Sequence, residues 1–167
     1  MAKITLKVDG RAHVVEAAAD EPLLYVLTGE LGLKGPRFGC GLAQCGSCSV
    51  LADGVEIRSC VIPAAAVQGK AITTLEGLPA WHAGRGGRLE GGLHPVQQAM
   101  IAEQAAQCGY CYNGMIVKAA ELLARTPRPT EPQITAAMNG HLCRCGTYPR
   151  IIRAIQRAAA VMAGEPA

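Results

Sequence analysis

Residues 3 to 8 read Lys-Ile-Thr-Leu-Lys-Val, polar and apolar in alternation, which is the period of a strand with one buried face. Asp9-Gly10 follows, a dipeptide suited to a type I′ turn. Residues 12 to 16 (Ala-His-Val-Val-Glu) supply a returning strand, so residues 3 to 16 predict a β-hairpin. Pro22 then precedes Leu23, Leu24, Val26 and Leu27, which fit one short helix with the proline near its first position; Gly32 and Gly35-Pro36 end it. A second hairpin is predicted from Ser49-Val50-Leu51-Ala52, Asp53-Gly54 and Val55-Glu56-Ile57, and residues 71 to 75 fit a last strand. Strands with one or two helices make the first half an α+β arrangement.

The pattern changes after about residue 78. Residues 79 to 94 are rich in glycine, carry Arg85 and Arg88, and read as a linker. From Pro95 onward the period is helical. Val96, Ala99 and Met100 define one helix, and Met115, Ile116, Ala119, Leu122 and Leu123 a second over residues 112 to 124. Ile134, Ala137 and Met138 define a third, starting near Thr130 or Glu131. Ile151, Ile152, Ile155, Ala158, Ala159 and Met162 define a fourth over residues 149 to 162. Four helices joined by short loops predict a small bundle. The expected organisation is a strand-rich domain at 1–78, a linker at 79–94 and a helical domain at 95–167.

Composition narrows the class. With 167 residues, half of them apolar and 17% charged, the chain is not disordered. A net charge of +3 is too small to indicate nucleic acid by itself. The charge is uneven: residues 1–80 hold seven basic and eight acidic side chains, residues 81–167 nine and five. The basic half is either a solvated surface or a face for an acidic partner or cofactor. The opening Met-Ala-Lys-Ile-Thr-Leu-Lys-Val lacks the apolar run of a secretory signal, and no stretch approaches a membrane span, so cytoplasmic assembly is expected. In that compartment eight cysteines favour metal or redox chemistry over disulfides.

The cysteines form two groups of four. Cys40, Cys45, Cys48 and Cys60 show the C-x4-C-x2-C…C spacing of plant-type 2Fe–2S ferredoxins. An anionic cluster needs a loop that wraps closely and aims backbone N–H groups at sulfur; Gly39, Gly41 and Gly46 permit that approach, and Ala43 and Ser47 are small. Structural zinc and a disulfide pair are the competing readings, but only Cys45 and Cys48 form a C-x2-C pair of the zinc kind. The second group, Cys108, Cys111, Cys143 and Cys145, reads C-x2-C, a gap of 31 residues, then C-x-C. Alone it fits zinc or iron–sulfur. Both pairs fall at predicted helix starts, where free N–H groups and the positive dipole end suit an anionic cluster.

Four stretches together carry a family resemblance: Gly39-Cys40-Gly41-Leu42-Ala43-Gln44-Cys45-Gly46-Ser47-Cys48, His94-Pro95-Val96-Gln97-Gln98, Gln107-Cys108-Gly109-Tyr110-Cys111 and Leu142-Cys143-Arg144-Cys145-Gly146. Over essentially its whole length the chain resembles the two-cluster iron–sulfur subunit of the xanthine dehydrogenase/aldehyde oxidase class of molybdenum hydroxylases. The run Gly146-Thr147-Tyr148-Pro149-Arg150-Ile151 is similar to the isoquinoline oxidoreductase, nicotinate dehydrogenase and bacterial aldehyde dehydrogenase branch. Tyr112-Asn113-Gly114 departs from the Thr-Pro-Gly of many members.

The resemblance implies a plant-ferredoxin-like β-grasp domain followed by a four-helix domain, each holding a 2Fe–2S cluster. It implies a large partner subunit carrying a molybdopterin cytosine dinucleotide-type cofactor, with Gln107 and Cys145 against the pterin. Electrons from an aldehyde or N-heteroaromatic substrate would pass through the two clusters to a cytochrome c or flavin acceptor. This chain would carry no catalytic acid–base group, and a helical-half cluster more buried than the first would suit that direction of flow. Small subunits without a signal can also be exported bound to a signal-bearing partner. A free two-cluster ferredoxin and a zinc-stabilised interaction module are the alternatives. His13, His82, His94 and His141 lie in no Cys/His ligand pattern, and His94 is expected to cap a helix. Trp81 is read as a linker anchor or a packing residue, and Tyr110 and Tyr112 as partner-facing or packing residues.

Overall fold

The computed structural model describes residues 1–165. Strands β1 (Ala2–Val8) and β2 (Arg11–Ala17) form the first hairpin, with Ile4 opposite Val15. Asp9 and Gly10 both take positive φ, 49° and 81°, as a type I′ turn demands. Along β1 the burial alternates, with Ile4, Leu6 and Val8 inward. Helix α1 (Leu23–Tyr25) continues without a break as a π-helical turn over Val26–Glu30, so the predicted helix exists but widens in its second half. Strands β3 (Ser49–Ala52) and β4 (Val55–Arg58) make the second hairpin, and β5 (Ala71–Thr73) follows a 3-10 turn at Ala64–Val67.

The five strands form one mixed sheet in the order β2-β1-β5-β3-β4. Only β1 and β5 run parallel; the remaining pairs are antiparallel. One face packs Leu6, Val8, Val50 and Ile72 against Leu23, Val26 and Leu27. Each side chain of that size is worth about 1.5–3 kcal/mol when fully withdrawn from water.

The segment expected to be an irregular linker contains helix α2 (Leu78–Ala83), with Pro79 in its first turn. Leu78 is fully buried and Trp81 packs half-buried against the helical core, so apolar contact outweighs the glycine content there. Four helices follow: α3 (Pro95–Ala102), α4 (Tyr112–Arg125), α5 (Glu131–Met138) and α6 (Tyr148–Met162). His94 caps α3, its Nδ1 accepting from the Val96 amide, and Gln97 closes the capping box. Thr130 and Gln133 do the same for α5.

The two halves share a strand. All four β3 residues are buried: Val50 and Ala52 belong to the sheet's core, while Leu51 packs into the core of the helices. Helix α4 lies over β3 and β4 and is buried on both sides, with Met115, Ala119 and Leu123 toward the bundle. This stacking sets the two cysteine groups side by side. Among the described residues no helix is long and apolar enough to cross a membrane.

Candidate metal centres

The loop between α1 and β3 organises the first group of thiols. Cys40 Sγ accepts backbone N–H bonds from Leu42, Gln44 and Cys45 at 3.3–3.4 Å, and Cys45 Sγ accepts from the Cys40 amide at 3.3 Å. Burial opposes ionisation of Cys40, but these donors outweigh it and lower its pKa to about 7. Gly41 and Gly46 turn the chain at positive φ, and so does Ala43 at 59°, a strained conformation for a residue with a Cβ. Gly39 serves another purpose: a Cβ there would lie 2.7 Å from Cys45 Sγ. Cys48 and Cys60 are buried with Leu24, and burial followed by the neighbouring Cys60 pushes the Cys48 thiol up to about 12. Ser59, next to Cys60, fixes the far side by donating from Oγ to Cys48 O at 2.6 Å.

The second group sits at two helix starts. Cys111 is the N-cap of α4; Cys143 and Cys145 precede α6. Cys108 and Cys145 bring their sulfurs to 3.5 Å. Cys143 Sγ lies 3.5 Å from Thr147 Oγ1, and its amide donates to Tyr148 Oη at 2.7 Å. Burial works against the Cys143 thiolate, yet the Thr147 hydroxyl and amide lower its pKa to about 7, whereas burial pushes Cys111 up to about 12. All eight thiols are free of disulfides.

These donor sets fit anionic sulfur clusters. The thiolates are hydrogen-bonded by backbone amides rather than by carboxylates, and the glycine-bearing loops admit close approach. In the chain by itself the second group of thiols is the less covered of the two. Cys108 is exposed, because the loop entering α4 lies at the protein surface, and Cys145, on the loop entering α6, is half-buried. Gln107, beside Cys108, is exposed as well.

The contacts between the sites are the part sequence reasoning missed. Leu142 N donates to Cys45 O at 3.0 Å, joining one ligand loop to the other. Tyr110 Oη donates to Phe38 O, and Asn113 Nδ2 donates to Ser47 O and Ser49 O at 2.9 and 2.8 Å. Gly114 lies so close to Gly46 that a Cβ would come within 2.1 Å of the Gly46 carbonyl oxygen.

Beneath the loops His141, which stands in no ligand pattern of the sequence, is 2% exposed. Its Nε2 meets Glu56 Oε1 at 3.1 Å and Arg58 Nη1 at 3.0 Å. Arg58 also bonds Ser49 and the Gly140 carbonyl, while Lys118 bridges Glu56 to Glu121. Burial opposes a charge on Glu56, but hydrogen bonds from His141 and Ser49 and the charge of Arg58 hold its carboxyl down at about 2. The one signal in the sequence is indirect: Glu56-x-Arg58, two opposite charges on the same face of a short strand.

A ferredoxin-like sheet and a helical half, each presenting four cysteine thiols, define a two-centre iron–sulfur protein. Residues 6–73 match the family described as 2Fe-2S iron-sulfur cluster binding domain, and residues 74–156 match the family described as 2Fe-2S binding domain. The chain is 52% identical over 156 residues to one of the nicotinate dehydrogenase subunits of Pseudomonas putida, covering 93% of this chain and 94% of that one. It is 49% identical to the alpha subunit of isoquinoline 1-oxidoreductase from Brevundimonas diminuta, over 88% of this chain and 90% of that one. Among solved structures, quinoline 2-oxidoreductase from Pseudomonas putida 86 superposes with a TM-score of 0.84 at 33% identity, covering 99% of this chain and 98% of the matched one. The aldehyde oxidoreductase of Desulfovibrio desulfuricans superposes at 0.87 and 35% identity over 99% of this chain, which spans 18% of that longer one. The chain belongs to the small iron–sulfur subunits of the xanthine dehydrogenase family.

Proposed function

We propose that this chain is the electron-transfer component of a molybdenum-containing hydroxylase, carrying electrons from a large molybdopterin-binding subunit to an external acceptor. The observation that carries the reading is the adjacency of two four-thiol sites whose ligand loops hydrogen-bond to each other. Cys40, Cys45, Cys48 and Cys60 hold one 2Fe–2S cluster, and Cys108, Cys111, Cys143 and Cys145 the other. Such clusters supply reversible one-electron chemistry, which lets a two-electron oxidation elsewhere be drained stepwise. The chain's own residues set the terms. The Leu42, Gln44 and Cys45 amides stabilise negative charge on Cys40; the Thr147 hydroxyl does so on Cys143; the buried walls around Cys48 and Cys111 limit water.

The second site's exposed edge faces the partner, with Gln107 and Cys145 against the pterin of a molybdopterin cytosine dinucleotide-type cofactor. The substrate class is an N-heteroaromatic acid or ring, as the names of the nicotinate and isoquinoline relatives support, with aldehydes the neighbouring choice. The terminal acceptor is a cytochrome c or a flavin-bearing chain. Assembly takes place in the cytoplasm, with or without later export alongside a signal-bearing partner. The organisation is a cluster domain at 1–78 and a second at 95–167, joined through the intervening α2 segment.

The test is iron and acid-labile sulfide per chain on anaerobically purified protein, with electron paramagnetic resonance after dithionite reduction. The expected result is about four of each and two distinguishable signals. Zinc in place of sulfide would replace the relay with a structural metal module.

A further inference from the structure

Large apolar side chains crowd the open rim of the first thiol loop. Leu42 is 67% exposed at the loop tip, although its own amide is fixed on Cys40 Sγ. Phe38 and Tyr25 are each about half exposed and stack on one another, ring centroids 6.4 Å apart and planes 18° apart. The Phe38 ring also lies over Gly41, 3.2 Å from where a Cβ would stand. Three such side chains left in water around one redox loop mark an interaction surface rather than scattered exposure.

The loop after the π-helical turn carries charge of one sign, although Glu30, exposed at the end of that turn, stands just before it. From Leu31 to Ala52 the only charged residues are Lys34 and Arg37, and both are exposed. Neither has a carboxylate within salt-bridge distance among the described residues. Glu76, the acidic side chain bonded to this turn, is committed to the backbone: its Oε1 accepts from the Lys34 and Gly35 amides, and its Oε2 from the Thr74 hydroxyl. Arg37 is held in place, its guanidinium 5.3 Å over the Tyr110 ring and its amide bonded to Ser47 O. An apolar centre flanked by two unneutralised cations suits a partner with the opposite arrangement.

We propose that the Tyr25–Phe38–Leu42 rim, with Lys34 and Arg37, is the docking face for an electron-accepting protein whose redox edge is ringed by acidic side chains. The inference rests on the relay reading above and adds the chemistry of the acceptor. In the step concerned one electron leaves this chain and one electron reduces the acceptor; no bond forms or breaks and no proton moves.

The assembled complex would be reduced with dithionite, freed of excess reductant, and mixed with an acidic c-type cytochrome and, separately, a basic one. At low ionic strength the wild type is expected to reduce the acidic cytochrome faster, with a rate that falls as salt is added. The double variant Lys34→Glu/Arg37→Glu is expected to lose at least tenfold on the acidic cytochrome and to gain on the basic one. Should that variant not assemble, Lys34→Gln, at an exposed side chain outside the thiol bonding, is expected to show a several-fold loss on the acidic cytochrome. A wild type that prefers the basic cytochrome, or rates indifferent to charge reversal, would overturn the docking face. So would strong protection of Phe38 and Leu42 by the large subunit in the complex without acceptor. Absence of both resonance signals after dithionite, by contrast, would defeat the relay reading itself and is seen before any cytochrome is added.

Discussion

At the scale of single residues, the first loop depends on side chains being absent. Gly39 has an ordinary backbone conformation, so alanine there is not disfavoured by φ; the obstacle is steric, a Cβ 2.7 Å from Cys45 Sγ and 3.3 Å from Ser47 Oγ. Gly39→Ala is therefore expected to lower iron content and the first-site resonance signal while leaving the second signal intact. An unchanged iron content would show that the sulfur can give way. Glu56 offers a different residue-scale test. Its folded-state carboxyl titrates at about 2 against an ordinary value of 4.5, so protonation favours the unfolded chain. The stabilisation is complete above pH 4.5 and is lost as pH falls toward 2. Its size is about 3 kcal/mol, since each tenfold change in proton affinity is worth about 1.4 kcal/mol. Glu56→Gln is expected to lower the urea midpoint at pH 7, and its gap from the wild type should narrow as pH drops below 4.5. A gap that stays constant down to pH 3 would mean that shape, not charge, is what Glu56 contributes.

At the scale of elements, α4 is the piece that binds the halves, and the glycine in its first turn sets how closely it lies. A Cβ at Gly114 would press on backbone, the Gly46 carbonyl, rather than on a side chain that could swing away. Gly114→Ala is expected to cost about 1–3 kcal/mol, as overpacking commonly does. It should also perturb the first-site signal although residue 114 lies in the helical half; calorimetry and resonance spectra on the same sample check both. Such a contact was not readable in the sequence. The hairpins were, because Asp9-Gly10 and Asp53-Gly54 supply paired positive φ angles between alternating segments. The α3 cap at His94 was, since proline follows it and Gln97 stands three residues on. Helix α2 was not, because its glycine-rich flanks hide one turn of Leu78 and Trp81. Nor was the burial of β3 on both faces, since Ser49-Val50-Leu51-Ala52 shows no sign of which neighbour covers Leu51. All eight cysteines were legible as two groups, but the bonds from Asn113 to residues 47 and 49 span more than sixty positions and no local pattern encodes them.

For the whole molecule, the question is whether two sites sharing a strand and several loop contacts behave as one unit or as two. Folding and metal occupancy give different answers. Leu51 belongs to the helical core while Val50 and Ala52 belong to the sheet core, so neither half can unfold without exposing part of the other's interior. Thermal unfolding of the loaded protein is accordingly expected as a single cooperative transition, and two separated calorimetric peaks would contradict the shared-strand architecture. Occupancy is less tightly linked. The first-site loop keeps its outside supports from Leu142, Asn113 and Tyr110 whatever happens to Cys48, and the second-site thiols stand on the starts of α4 and α6 rather than on the sheet. Cys48→Ser should therefore remove the first-site signal and about half of the iron while sparing the second, and Cys111→Ser should do the converse. The variant complexes would also separate the ends of the relay. Cys48→Ser should still accept electrons from the partner's side but slow delivery to the external acceptor, whereas Cys111→Ser should block entry. If either single change erased both signals, the loop contacts would be carrying metal retention as well as position, and the two centres would have to be treated as one.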